Sequence, residues 1–280
     1  MSGTLYIVAT PIGNLGDITE RAIAILRDAA VVAVEDTRHS RKLLLQFGIA
    51  TPMIALHDFN EGERVAHILA RLRDGDDVAL ISDAGTPLIS DPGYQLVRQA
   101  HAQGFAVVPI PGACAVIAAL CTAGLPTDRF TFEGFLPAKQ AGRLASLGEL
   151  ARETRTMVFY EAPHRIVESL ADMVSVFGAE REATLARELT KTFETIVQAT
   201  LGALLERVQL DLNQQKGEIV LVVAGRVAVA EEVDAAALHT LQVLLGEMPL
   251  KQAAAVASRI TGIKKNLLYE TALRLKQEKD

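Results

Sequence analysis

Cysteine is scarce in this sequence, with 2 among 280 residues. Cys114 and Cys121 stand seven positions apart in a helical pattern, roughly 10 Å along the axis, which is too far for a disulfide. They read as buried small hydrophobes. Apolar runs long enough to cross a bilayer are missing. Met1–Thr10 also lacks the charged and long apolar regions of a signal peptide, so a cytoplasmic chain is expected. Excess positive charge is missing too. The 28 Lys and Arg against 34 Asp and Glu leave a net charge of −6, so any hold on nucleic acid must come from local patches. Neither G-x-G-x-x-G nor G-K-[ST] follows the first apolar run, which removes the common dinucleotide fingerprint and the P-loop. No H-E-x-x-H or paired C-x-x-C occurs, and no metal is expected.

What the chain does have is core material and a rhythm. Half of its residues are hydrophobic and 22% are charged, enough for two domains or for one large domain with an appendage. Short apolar runs at Leu5–Ala9, Val31–Val34, Met53–Leu56, Val78–Ile81 and Ala106–Ile110 read as buried strands. Helical spacing lies between them, over Thr19–Ala29, Arg41–Phe47, Glu63–Arg73 and Tyr94–Gln103. This alternation predicts a parallel, doubly wound sheet over residues 1–112. Polar or glycine-bearing loops follow four of the strands: Thr10–Gly16, Glu35–His39, His57–Glu61 and Ser82–Gly93. Open α/β sheets place ligands at the carboxyl ends of their strands, so four such loops on one edge point to a pocket. The loop after Ile81 is the centre of that edge. Gly85 and Gly93 permit backbone geometries closed to other residues, Pro87 and Pro92 stiffen it, and Asp83 and Asp91 can accept hydrogen bonds from a ligand. The plainer reading of its Asp and Ser is capping of the next helix.

Pro111-Gly112-Ala113-Cys114 and the small-residue helix Ala115–Ala123 suit either close approach of a flat ligand or tight helix–sheet packing. Gly124–Asp128 reads as an interdomain hinge. Strands at Phe130–Phe135, Met157–Tyr160, Ala183–Leu189, Phe193–Thr200 and Ile219–Ala224, with helices at Leu144–Leu150 and Ile166–Phe177, predict a mixed α+β domain over 113–228. Ala183–Leu189 and Phe193–Thr200 read as an antiparallel hairpin within it. Three helical patterns, Ala235–Leu245, Leu250–Ile260 and Lys265–Leu275, form a last unit over 234–280. Its end, Lys251–Asp280, carries seven Lys/Arg against three Asp/Glu. That suits a helix-turn-helix-like unit against nucleic acid, or else a solvated bundle or dimerisation arm.

Five blocks carry a resemblance: Ala9–Asn14, Glu35–Arg38, Ser82–Gly93, Phe159–Arg165 and Ala186–Lys191. Together they make the chain similar, over essentially its whole length, to the small-subunit ribosomal RNA methyltransferase I family within the tetrapyrrole methylase fold. The resemblance implies S-adenosylmethionine as methyl donor, bound between two α/β domains. It implies 2′-O-ribose methylation of a cytidine in the decoding region of 16S rRNA, on the assembled small subunit, by a homodimer. Donor contacts fall by resemblance on Pro11, Ser82, Asp83, Ala84, Gly85, Ile89, Ala113, Tyr160, Ala186, Gly217, Glu218 and Ile219. Relatives that methylate porphyrinoids carry a Gly-Pro-Gly-type first loop and a Gly-Asp-Pro in the central one. Ala9-Thr-Pro-Ile-Gly13 and Ser82-Asp-Ala-Gly-Thr-Pro87 depart from both, away from a tetrapyrrole acceptor.

Methyl transfer from a sulfonium is an in-line displacement that needs nucleophile and methyl aligned. A ribose hydroxyl is a weak nucleophile, so some group must take its proton or polarise it. The candidates are Asp36, Glu188 and a Lys191 of depressed pKa, although Glu188 suits equally an ion pair with Arg187 or Lys191. The candidate RNA contacts are Arg38, Lys139, Arg143 and Arg187, with Lys264 and Lys265 in the terminal unit. Two rival readings stand beside this one. One is a same-fold methyltransferase acting on a tetrapyrrole, another small molecule or a protein side chain. The other is a ribosome-binding protein without catalysis.

Overall fold

The structure is a computed structural model and describes residues 2–56, 61–226, 233 and 235–277. The chain divides into two compact units, 1–226 and 227–280. The expected polar cluster at His57–Glu61 lies outside the described residues for 57–60.

The larger unit opens with β1 (Thr4–Val8), α1 (Glu20–Asp28), β2 (Val31–Val34), α2 (Thr37–Gln46), β3 (Met53–Ala55), α3 (Glu61–Asp74), β4 (Val78–Leu80), α4 (Tyr94–Ala102) and β5 (Ala106–Ile110). The five strands pair in parallel in the order β3-β2-β4-β1-β5. Their side chains alternate into two apolar layers. Leu5, Ile68, Leu72 and Leu96 pack on one face, and Val8, Leu26, Val32 and Leu44 on the other. Strands covered on both faces need continuous apolar runs, which is why Val31–Val34 is buried throughout. β1 and β4 lie side by side near the middle of the sheet. The chain leaves β1 towards β2 on one side and leaves β4 towards β5 on the other, the arrangement that opens a ligand crevice at the strand ends. Helix α2 begins earlier than its hydrophobic spacing suggests. Asp36 caps it by accepting from Arg38 N at 2.7 Å, so most of the polar cluster Glu35–His39 is the first helical turn.

After α5 (Ala115–Thr122) come β6 (Phe130–Phe135), α6 (Gln140–Leu150), β7 (Thr156–Glu161), α7 (Ile166–Phe177), β8 (Glu182–Arg187), β9 (Thr195–Thr200), α8 (Leu201–Leu210) and β10 (Ile219–Val223). This second sheet runs β6-β7-β10-β8-β9. Only β6 and β7 pair in parallel. Ile219, Leu221 and Val223 face a core with α7 and α8, while Val220 and Val222 face one with α5. Helix α8, capped by Thr200, was invisible to the strand-and-helix spacing read above. The β8–β9 hairpin is antiparallel as expected, from Glu182 opposite Thr200 to Arg187 opposite Thr195. Strand β8 stops short of Leu189 because Glu188 and Thr190 turn to positive φ, at 52° and 66°.

The connector at Gly124–Asp128 is tied to the second sheet. Thr184 Oγ1 donates to Ala123 O at 2.7 Å, Thr156 Oγ1 donates to Pro126 O at 2.6 Å, and Leu125 is buried. Ile12, from the loop after β1, sits in the same apolar cluster as Val116, Leu189 and Val220. One apolar cluster therefore bridges the two sheets, and buried apolar area is the main term favouring their association.

The smaller unit holds α9 (Ala235–Glu247), α10 (Leu250–Thr261) and α11 (Lys265–Gln277) around Leu241, Ala254, Ala257, Leu268 and Ala272. Pro249 stands at the entry of α10, and Gly262 ends it in the left-handed conformation.

Candidate active site

The loops at the carboxyl ends of β1, β2, β4 and β5 are stitched together by backbone and side-chain bonds. Thr10 N donates to Gly85 O at 2.8 Å and Gly85 N donates back to Thr10 O at 3.1 Å. Asp83 Oδ1 accepts from Asp36 N at 3.2 Å, and Thr86 Oγ1 donates to Ala113 O at 3.0 Å. The capping reading of this loop fails, because Gly93 starts α4 with no side-chain cap. The loop instead takes unusual backbone shapes: Gly85 at φ +82°, and Leu88 and Ser90 at φ 71°. Such conformations cost of order 1–3 kcal/mol each at non-glycine residues and persist where surrounding structure fixes them. At Gly85 a Cβ would lie 3.2 Å from Ile12 Cγ2, so a side chain there would crowd the β1 turn in addition to straining the left-handed backbone.

Facing these loops is one end of the second sheet. There the ends of β6, β7 and β8 meet the start of β10, with Glu161 and Arg187 both registered on Ile219. Between the two lies a cavity of about 380 Å³, walled mostly by apolar atoms and within the size range of small-molecule sites. Of the expected donor contacts, Ala84, Gly85, Ile89, Tyr160, Glu218 and Ile219 line it. Pro11, Ser82, Asp83, Ala113, Ala186 and Gly217 are not in its lining. Pro11 and Ser82 are buried in the stitched loops, and Ala186 pairs with Val220 inside the sheet. Residues not foreseen in the lining include Ile12, Thr86, Ser90, Asp91, Cys114, Phe135, Glu161 and Leu189. Cys114 is only half-buried there and Cys121 is exposed, which corrects the expectation that both are core residues. Helix α5 faces the cavity with its first turn, so its small residues serve lining and packing at once.

Two of the expected bases, Glu188 and Lys191, hold each other. Lys191 Nζ lies 2.7 Å from Glu188 Oε1 and 2.9 Å from Glu218 Oε2, while Glu188 Oε1 also accepts from Glu218 N at 3.0 Å. Burial pushes the Glu188 carboxyl up, but the Lys191 ammonium and the Glu218 amide outweigh it and leave its pKa lowered. Burial pulls Lys191 down, and the Glu188 and Glu218 carboxylates outweigh that, so its pKa is raised. This reverses the depression expected for Lys191, which stays protonated. A Cβ on Gly217 would collide with the Glu188 carboxyl, and Gly217 sits at φ +81°. The network thus packs onto the start of β10 and sets Leu189 into the cavity wall. Asp36 is held at about 2 by the Arg38 guanidinium and backbone amide.

Tyr160 stands edge-on to Phe132 and Phe135, with ring centroids 4.9 and 5.5 Å apart. Burial pushes its phenol far above its ordinary value, so it remains a proton donor. Burial also raises Asp91, opposed by the Ser82 hydroxyl and assisted by the nearby Asp83. Glu161 is buried and fully engaged, accepting from Arg165 Nη2 at 2.6 Å, from Ala162 N at 2.7 Å and from Ser169 Oγ.

The expected RNA contacts divide sharply. Arg38, Lys139, Lys264 and Lys265 are exposed. Arg143 is not: it is 1% exposed, with Nε 2.6 Å from Asp172 and Nη2 3.3 Å from Glu168. Arg187 is also buried, donating to the carbonyls of Lys216 and Phe193. Both are structural, and their positions in a basic-looking sequence gave no sign of it. Among the described residues, no group of three or more His, Cys, Asp or Glu is arranged to hold a metal ion.

Residues 4–205 match the family described as Tetrapyrrole (Corrin/Porphyrin) Methylases, which makes the chain a methylase of this two-sheet fold. Residues 231–276 match the RsmI C-terminal HTH domain. Uroporphyrin-III C-methyltransferase from Thermus thermophilus, solved with S-adenosyl homocysteine, superposes with TM-score 0.54 at 18% identity, covering 79% of this chain and 97% of that one. Ribosomal RNA small subunit methyltransferase I of Pseudomonas aeruginosa is 60% identical over 275 residues, 98% of each chain. The protein of that name from Escherichia coli O157:H7 is 55% identical, covering 97% of this chain and 95% of its own. The chain belongs to the ribosomal RNA small subunit methyltransferase I family.

Proposed function

We propose that this chain transfers a methyl group from S-adenosylmethionine to the 2′-hydroxyl of a cytidine in the decoding region of 16S rRNA, on the assembled small subunit. The observation that carries the reading is the similarity to small-subunit rRNA methyltransferases, 60% and 55% identity over 98% and 97% of this chain. The cavity suits the donor. Its size fits a nucleoside-bearing ligand, its walls are largely apolar, and Ala84, Gly85 and Ile219, three of the expected donor contacts, line it. The donor supplies an electrophilic methyl. The chain's own task is to hold nucleophile and methyl in line and exclude water, worth several kcal/mol of barrier where alignment is good.

The same reading includes a homodimer in the cytoplasm. Among the described residues no helix is long and apolar enough to cross a membrane. A monomer mass at micromolar concentration would remove the dimer from the account. The activity is tested with labelled S-adenosylmethionine and small subunits from cells lacking the protein. Label in the ribose of a decoding-region cytidine is expected. Label on a base, or in a small molecule only, would refute the assignment.

A further inference from the structure

At the cavity rim Phe135 is 55% exposed, whereas Thr131–Gly134 before it in the strand are half-buried. An aromatic ring left in water at the mouth of a cavity needs a reason, and its edge contact with Tyr160 holds the ring in place without covering it. Across the same cavity stands Asp91, next to Ser90 with its positive φ. The two sides come close here: a Cβ on Gly134 would lie 3.8 Å from Ser90 Oγ. Of the three carboxylates in the lining, Glu161 is paired with Arg165 and Glu218 with Lys191, whereas Asp91 has no cationic partner among the described residues. Lys139, exposed, follows Phe135 by four residues and adds positive charge on that side.

We infer that Phe135 and Asp91 form the acceptor end of the cavity: the ring stacks the base of a splayed-out nucleotide and Asp91 takes the proton of its 2′-hydroxyl. This rests on the proposed rRNA methylation and names residues for it. Single-stranded bases are commonly held on aromatic faces, which tolerate any base and leave the ribose beside the platform. In the step, the 2′-oxygen bonds to the methyl carbon and the sulfur–methyl bond breaks. Its electron pair stays on sulfur, which becomes a neutral thioether, and the hydroxyl proton passes to an Asp91 carboxylate oxygen. Desolvation of Asp91 suits this role, because a base is most effective when its pKa lies nearer the working pH than an ordinary carboxylate's. Glu188, Lys191 and Asp36, each locked to a counter-charge, are less suited to it.

The test uses the full chain, small subunits from cells lacking the protein, and labelled S-adenosylmethionine. Wild-type transfer to the ribose is measured first, and its absence would overturn the rRNA reading itself. Given that transfer, Phe135→Ala should raise KM for the subunit by about five- to 150-fold. Donor affinity by calorimetry and melting temperature should stay unchanged, with Phe135→Trp restoring KM. Asp91→Asn should cut kcat on the order of a hundredfold or more, keep donor affinity, and remove the fall in rate on the acid side of the pH profile. Wild-type KM in Phe135→Ala together with wild-type kcat in Asp91→Asn would overturn the inference while leaving the rRNA reading intact. Loss of donor affinity in Asp91→Asn would overturn it too, assigning Asp91 to the donor's ammonium instead.

Discussion

At the scale of single residues, the same side-chain type plays opposite parts according to its surroundings. Arg143 and Lys139 look alike in sequence, yet one is sealed between Asp172 and Glu168 and the other is exposed. Removing one partner of a buried pair strands the other charge, at a cost of about 3–5 kcal/mol. Arg143→Ala should therefore lower stability in urea unfolding by an amount of that order, whereas Lys139→Ala should leave it unchanged and weaken subunit binding. Equal stability for the two variants would show that Arg143 is not the buried anchor. The Glu188–Lys191 pair is different, because Lys191 is only partly buried and is shared with the exposed Glu218, so water screens its contribution. A double-mutant cycle should give less than about 1 kcal/mol. The lowered pKa of Glu188 means that its contribution holds above the unfolded carboxylate value and fades as pH falls through the lower folded one. The raised pKa of Lys191 means that its share holds below the unfolded lysine value and fades as pH rises through the higher folded one. Their coupling should be flat near neutrality and vanish in acid. A coupling that grows on acidification would contradict the pairing.

At the scale of elements, the site is made by loops that lock one another. Gly85→Val would force a branched side chain into a left-handed backbone position against Ile12. Binding of S-adenosylmethionine should be lost while urea unfolding stays cooperative, and unchanged affinity would take this loop out of the donor site. Much of this edge was legible beforehand. Buried strands announce themselves as apolar runs such as Val31–Val34, and the glycines and prolines after Ile81 mark a long loop at a strand end. What escaped has physical causes. Helix α8 begins directly after a strand, with Thr200 both ending β9 and capping the helix, and its glycine, Gly202, lies inside the first helical turn, so no break separates the two spacings. The turn at Glu188–Thr190 uses positive φ at residues with side chains, which composition cannot signal. Phe135 and Asp91 come to line one cavity only through tertiary structure, so no local pattern joins them. Burial of Arg143 depends on Asp172, a helix and a strand away in sequence.

At the scale of the whole molecule, an acidic chain must concentrate its positive charge to hold RNA, since affinity for phosphate comes from Lys and Arg releasing counterions. The unit 227–280 is compact by itself and carries an excess of Lys and Arg towards its end. Deleting residues 235–280 should leave S-adenosylmethionine binding intact and sharply reduce methylation of the small subunit. Charge reversal at Lys264 and Lys265 should weaken subunit binding and flatten its salt dependence by roughly one unit of slope per lost contact. If truncation lowers melting temperature and donor affinity together, the terminal helices stabilise the body and do not dock RNA. The central claim concerns the acceptor, and mapping of methylated riboses along 16S rRNA from cells with and without the protein tests it most directly. The account predicts one 2′-O-methyl group, on a decoding-region cytidine, that disappears with the protein and returns on adding the purified chain and S-adenosylmethionine to the deficient subunits. An unchanged map would contradict it.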